Sequence, residues 1–173
     1  MKRKLLTALV LIFIAGLLVL FAAPEYRQGE PSLAGKPARD FSFTLDGKPA
    51  TLADLRGKVV VLNFWATWCP PCVEETDALN RLQMAIAPHG ATILGVSVDE
   101  DPAAYEKFLS DHQVRFPTFR DPSKQIAHSY GTSVYPETYI IDREGRIARK
   151  IIGQQEWDTP DLISYVRNLA AQP

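Results

Sequence analysis

Cys69 and Cys72 are the two cysteines of this 173-residue chain, and only Pro70 and Pro71 separate them. Two thiols at that spacing support three chemistries. As metal ligands they fill two of the four positions of a structural zinc site. His89, His112 and His128 are scattered along the chain, so the missing ligands would have to come from a second chain. As an inert staple the pair closes a loop too small to remove much chain entropy. As a redox pair they act as an attacking and a resolving thiol. The placement suits this third chemistry, which needs neither metal nor organic cofactor. An apolar, β-branched run, KVVVLNFW (58–65), precedes the pair, and a helical pattern from about 70 to 87 follows it. Cys69 is then expected at the N-cap, its sulfur facing free N–H groups and the positive end of the helix dipole, which favours thiolate. Proline is tolerated in a first helical turn, where no N–H is needed. Cys72, one turn further in, is expected to be shielded and aimed at a mixed disulfide on Cys69.

Glu75 is the third candidate. Cys72, Glu75, Leu79, Leu82 and Ile86 share one stripe of that helix by i, i+3, i+4 spacing. A carboxyl on an inward stripe has a raised pKa and can exchange protons with the thiols. The plainer alternative is that it answers the helix dipole, as Glu74 and Asp77 do. Pro136 comes just before the strand-like ETYIID, where it suits a turn or a cis bond better than regular sheet. Trp65 reads as core and Trp68 as a partly exposed recognition surface. Trp157, in QQEWDTP, reads as one wall of a groove, and the three histidines read as surface residues.

These residues need a scaffold, and the chain is patterned for one. FSFTL and ATL flank the turn signal Asp46-Gly47, which predicts a hairpin followed by a short helical turn at ADLRG. Buried strands are expected at 58–65 and 91–98, a helix at 102–112, a short edge strand at 114–119 and a helix in SKQIAHSYG. ETYIID and RIARKII form a second hairpin, and a C-terminal helix begins with Thr159 as N-cap and Pro160 in its first turn. Strands alternating with helices predict an α/β fold: a mainly parallel sheet covered on both faces, with the last hairpin as an antiparallel edge.

The first 23 residues are different. After Met1-Lys2-Arg3-Lys4 comes LLTALVLIFIAGLLVLFAA (5–23), with no charge. As a helix it is roughly 28 Å long, close to the thickness of a bilayer's hydrocarbon core. A cleaved signal peptide has a shorter apolar region and a small-residue site, whereas this run ends Phe21-Ala22-Ala23. The expectation is a single-pass anchor at 1–23 with its N-terminus cytoplasmic, a tether at 24–37 rich in proline and glycine, and an exported domain from 38 to 173. The composition, 46% hydrophobic and 23% charged, is ordinarily globular. The chain carries 19 Lys+Arg against 20 Asp+Glu, and without the three basic residues at its start the balance is 16 against 20. An acidic domain without a basic stripe excludes nucleic acid as partner.

Trp65-Ala66-Thr67-Trp68-Cys69-Pro70-Pro71-Cys72 resembles the active site of the thioredoxin superfamily. NFWATWCPPC, the N-terminal hairpin, GVSVDE, the insert near 102–130 and YPETYIID resemble its membrane-anchored branch, the TlpA, ResA and CcmG proteins, from about residue 35 to the C-terminus. The resemblance implies a thioredoxin-like fold with a central mixed sheet, N-terminal hairpin and central helix/strand insert. It implies a monomeric periplasmic thiol-disulfide oxidoreductase anchored in the inner membrane. Its partners would be a protein disulfide such as an apocytochrome c and a membrane electron donor of CcdA or DsbD type. Glu75 then matches a functional glutamate of ResA-like proteins. Asn63 replaces the buried proton-transfer aspartate of thioredoxins with an amide that cannot do that job, which raises the stake on Glu75. Pro136 matches the cis-proline opposite the cysteines, and Tyr135, bulkier than the usual residue there, offers its backbone to a peptide. Glu137 is either a specificity residue or a solvated edge. Three other activities fit the same fold. A peroxiredoxin holds its peroxide with a Thr or Ser three residues ahead of the cysteine, where this chain has Ala66. A DsbA-like oxidant uses a histidine between its cysteines, where this chain has prolines. A docking module would carry an inert disulfide.

Overall fold

The computed structural model describes residues 33–45 and 47–172. The expected anchor and most of the tether lie outside the described residues. No helix among those described is long and apolar enough to cross a membrane.

The central strand is β3 (Val59–Trp65), with all seven residues buried. Its alternate side chains feed two cores. Val60, Leu62 and Phe64 join one cluster with Tyr139 and Phe119. Val59 and Val61 join another with Leu79, Leu82, Ile140 and Val166. A strand buried on both faces has no use for polar alternation, hence a run that is apolar at every position but Asn63. From β3 the chain enters helix α1 (Pro70–Ile86) and returns in β4 (Ala91–Ser97), parallel to β3. Helix α2 (Pro102–Asp111) leads to β5 (Thr118–Arg120), parallel to β4.

The edge strand starts later than residue 114 because Pro117 cannot donate to the ladder. Its carbonyl instead accepts from Gly95 N at 2.8 Å. Gly95 is required here: a Cβ on it would lie 2.7 Å from Thr118 Oγ1. A short helix, α3 (Gln125–Ser129), precedes β6 (Glu137–Ile141) and β7 (Ile147–Ile152), and α4 (Pro160–Ala170) closes the chain. Thr159 is the N-cap of α4, although its side chain makes no capping hydrogen bond.

The sheet order is β5-β4-β3-β6-β7, with β6 antiparallel to β3 and β7 antiparallel to β6. The C-terminal hairpin therefore supplies two of the five strands of a mixed sheet. It is not a trim on a parallel one, because β6 takes the edge of β3 that β4 leaves unpaired. A separate hairpin, β1 (Ser42–Leu45) with β2 (Lys48–Thr51), lies outside the main sheet, and Phe43 stacks on Phe119 at 4.8 Å. The segment before residue 38 is not all tether. Gly35 N donates to Ile147 O at 2.8 Å and Ile147 N to Lys36 O at 2.8 Å, which pins 35–37 beside β7.

Candidate active site

Two loops at one end of the sheet meet at the cysteines. The first leaves β3 at Trp65 and reaches Cys69 through Ala66, Thr67 and Trp68. Asp99 holds it in place. Its carboxylate accepts from Thr67 N at 3.0 Å, from Thr67 Oγ1 at 2.7 Å and from Ser97 Oγ at 2.6 Å. Asp99 is 2% exposed. Its position just past the end of a buried strand, inside GVSVDE, is the signal by which it could have been found. Across the gap, the Tyr135–Pro136 bond is cis. The Tyr135 ring meets Trp68 edge-on, centroids 6.0 Å apart. Trp68 is 60% exposed and Pro136 is buried.

Cys69 and Cys72 form a disulfide, with Cα atoms 5.3 Å apart. Cys69 is the N-cap of α1, but its side chain makes no capping bond. The expected cradle of free N–H groups is absent. Pro70 and Pro71 have no N–H, and the next donors, Cys72 N and Val73 N, go to the Cys69 carbonyl at 3.0 and 3.1 Å. In the disulfide form the helix dipole is what the first turn still offers Cys69. Cys69 is buried between two exposed neighbours, Trp68 and Pro70, whereas Cys72 faces inward.

Glu75 is 1% exposed. Its Oε1 accepts from Asn63 Nδ2 at 3.1 Å; its Oε2 accepts from Trp157 Nε1 at 2.8 Å and from Gln155 N at 3.2 Å. Burial raises the carboxyl from 4.5 to about 7, and the three hydrogen bonds pull the other way. An acid that titrates near neutrality one helical turn from Cys72 is suited to proton exchange. Trp157 is therefore not a groove wall. It is fully buried, with its N–H committed to Glu75.

Glu137 is likewise no solvated edge and not free to touch a substrate. It is 4% exposed, and its Oε1 accepts from Thr132 Oγ1 and Tyr139 OH, both at 2.6 Å, and pairs with Lys150 Nζ at 3.2 Å. In β6 its side chain takes the face opposite Thr138, whose Oγ1 accepts from Asn63 Nδ2 at 2.9 Å. The first residues of β6 thus tie the cis-proline loop to both sides of the sheet. Trp65 is core, as expected, at 3% exposed.

Residues 34–150 match the AhpC/TSA family. Thiol-disulfide oxidoreductase ResA of Bacillus thuringiensis is 34% identical over 157 residues, 89% of this chain and 91% of that protein. ResA of Bacillus subtilis is 32% identical over 171 residues, 97% of this chain and 94% of that protein. Among solved structures, one described as a thiol:disulfide interchange protein DsbE from Chlorobium tepidum superposes with a TM-score of 0.74 at 28% identity. It covers 80% of this chain and 98% of its own. With this fold and this cysteine pair, the chain belongs to the AhpC/TSA family of thioredoxin-like proteins and is a thiol-disulfide oxidoreductase.

Proposed function

We propose that the protein is a reductant of protein disulfides, tethered to the outer face of the cytoplasmic membrane by residues 1–23. The observation that carries the direction is the first turn of α1. A disulfide is strongly oxidising when its reduced form is stabilised. Here Pro70 and Pro71 withhold two N–H donors and the Cys69 carbonyl takes the next two. Fewer backbone donors for a Cys69 thiolate favour a reducing couple.

In the forward reaction the Cys69 thiolate attacks a substrate disulfide, releases one substrate thiol and leaves a mixed disulfide. Cys72 loses its proton and attacks Cys69 Sγ, which frees the second substrate thiol and closes the Cys69–Cys72 disulfide. Two electrons pass to the substrate, and Glu75 exchanges the proton of Cys72. Trp68, Tyr135 and the cis-Pro136 loop frame the face on which the substrate chain lies. A membrane thiol carrier of CcdA or DsbD type returns the electrons.

General oxidants in an exported compartment pair any neighbouring cysteines, so a tethered reductant serves a dedicated client. The C-x-x-C-H haem site of an apocytochrome c is such a client, since haem attachment needs both thiols reduced. The likeness to ResA supports that choice. The Cys72→Ser protein should trap an apocytochrome as a mixed disulfide, Cys69→Ser should trap nothing, and loss of the gene should lower c-type cytochromes until a small thiol is supplied. Normal cytochromes, with another exported protein trapped, would make this a general disulfide reductase. Peroxide consumption faster than that of an ordinary protein thiol would favour a peroxidase, a reading that buried Ala66 disfavours.

A further inference from the structure

Asn63 sits in a strand whose other six residues are apolar, and it is 1% exposed. Both protons of its Nδ2 are used, one on Glu75 Oε1 at 3.1 Å and one on Thr138 Oγ1 at 2.9 Å. Its Oδ1 accepts nothing. Among the described residues it is the one buried side-chain N or O atom without a partner. Such an orphan gives up its hydration without a partner in exchange, and a leucine or valine would have avoided it.

Asn63 lines a small internal space under the disulfide together with Cys72, Trp65, Thr76, Leu79 and Phe108. That space has no room for a water molecule. Three of these neighbours are able to carry a side-chain donor. Trp65 Nε1 is engaged by Thr118 Oγ1 at 3.3 Å, and Thr76 Oγ1 donates to the Cys72 carbonyl at 2.9 Å. The third, Cys72, has no hydrogen while it is a disulfide. Reduction by two electrons and two protons breaks the S–S bond and places an S–H on Cys72, which lines the same small space as the unpaired Asn63 Oδ1.

We infer that Asn63 Oδ1 accepts the Cys72 S–H in the reduced protein, and that the same amide, by turning over, links the proton on Cys72 to the proton on Glu75. The two ends of an amide are nearly identical in shape and opposite in hydrogen-bonding sense. With Oδ1 toward the sulfur, the site suits a Cys72 thiol and an ionised Glu75. Turned over, Nδ2 donates to a Cys72 thiolate while Oδ1 accepts from protonated Glu75, and the Thr138 hydroxyl rotates from acceptor to donor. Either way this buried region holds one negative charge, since a second would be unpaired in a low dielectric.

One proton leaves Cys72 as one arrives at Glu75, by exchange with solvent; the amide carries none. From the other elements packed here, Trp157 Nε1 and Gln155 N face Glu75 and do not titrate, and Cys69 is the remaining titratable group. Glu137 and Lys150 occupy the opposite face of the sheet. The thiol bond stands on geometry alone, whereas the link rests on the proton-exchange role of Glu75.

Cys69→Ser leaves Cys72 as the sole thiol, so its S–H stretching band in the infrared reports directly. The band should lie at the lowered frequency of a hydrogen-bonded thiol, move to the free-thiol frequency in Cys69→Ser/Asn63→Leu, and stay lowered in Cys69→Ser/Asn63→Asp, which keeps an acceptor. A free-thiol band in Cys69→Ser itself overturns the inference without a further variant. With both cysteines present, Asn63→Leu should make the disulfide harder to reduce by about threefold to tenfold, at most about 30 mV. For the link, the carboxylic-acid band of Glu75 should grow as Cys72 ionises, and Asn63→Leu should uncouple the two. If Glu75→Gln leaves the Cys72 titration unchanged, the Glu75 role fails while the S–H band still judges Asn63. If Glu75→Gln changes the titration but Asn63→Leu moves neither band, this inference alone fails.

Discussion

Trp157 donates its indole N–H to Glu75 Oε2 at 2.8 Å from a position 82 residues further along the chain. The bond joins the loop before α4 to the active-site helix and stabilises the carboxylate over the acid. Trp157→Phe keeps most of the buried ring but deletes the donor, so the Glu75 pKa should rise from its value of about 7. The variant should lose about 1–2 kcal/mol more stability at pH 8, where the carboxylate is charged, than at pH 5. Urea unfolding at both pH values measures this. Equal losses would mean that packing is all the indole supplies.

Glu75 itself makes stability depend on pH in an unusual sense for a carboxyl. Its folded-state pKa is raised from 4.5 to about 7, so the fold binds the proton more tightly than the unfolded chain does. The stabilisation is complete below 4.5 and is lost as pH rises through 7, on the order of 3 kcal/mol in all. Glu75→Gln cannot titrate. The disulfide-intact variant should match the parent near pH 5 and exceed it at pH 8, and parallel pH profiles for the two proteins would contradict this.

The Glu137–Lys150 pair predicts a non-additive result. Both residues are under 10% exposed, and the contact is 3.2 Å. Lys150→Met leaves a buried carboxylate uncompensated and should cost about 3–5 kcal/mol. Glu137→Gln/Lys150→Met removes both charges and should recover much of that. A double variant less stable than Lys150→Met, by denaturant midpoint, would show that the charges do not compensate each other.

Asp99→Ala frees Thr67 N, Thr67 Oγ1 and Ser97 Oγ together. The expected loss is about 2–3 kcal/mol, with slower reaction of Cys69 toward a disulfide substrate because the loop that presents it is no longer held. An unchanged rate in a folded variant would limit Asp99 to stability.

What the sequence determined alone is what short-range pattern encodes. The run 59–65, apolar at every position but Asn63, reads as a two-face buried strand because it lacks the polar alternation of a half-exposed one. The stripe Cys72, Glu75, Leu79, Leu82, Ile86 turns inward because 3.6 residues make a turn, and Glu75 is indeed 1% exposed. Cysteine spacing, proline tolerance at a helix start and the Pro136 turn are equally local. The tertiary structure decided what depends on partners distant in sequence. A glutamate after proline in YPET has no local mark of burial, and only the approach of Thr132 and Lys150 makes Glu137 an interior ion pair. Trp157 looked like a surface ring because nothing in QQEWDTP announces a carboxylate 82 residues away. The loss of N–H donors at Cys69 lies between these cases. Pro70 and Pro71 are written in the sequence, but that their neighbours' N–H groups turn to the Cys69 carbonyl is a matter of backbone geometry. Side-chain polarity is a property of a residue; whether that polarity is satisfied is a property of the fold, because a hydrogen bond needs two groups that the chain must first bring together.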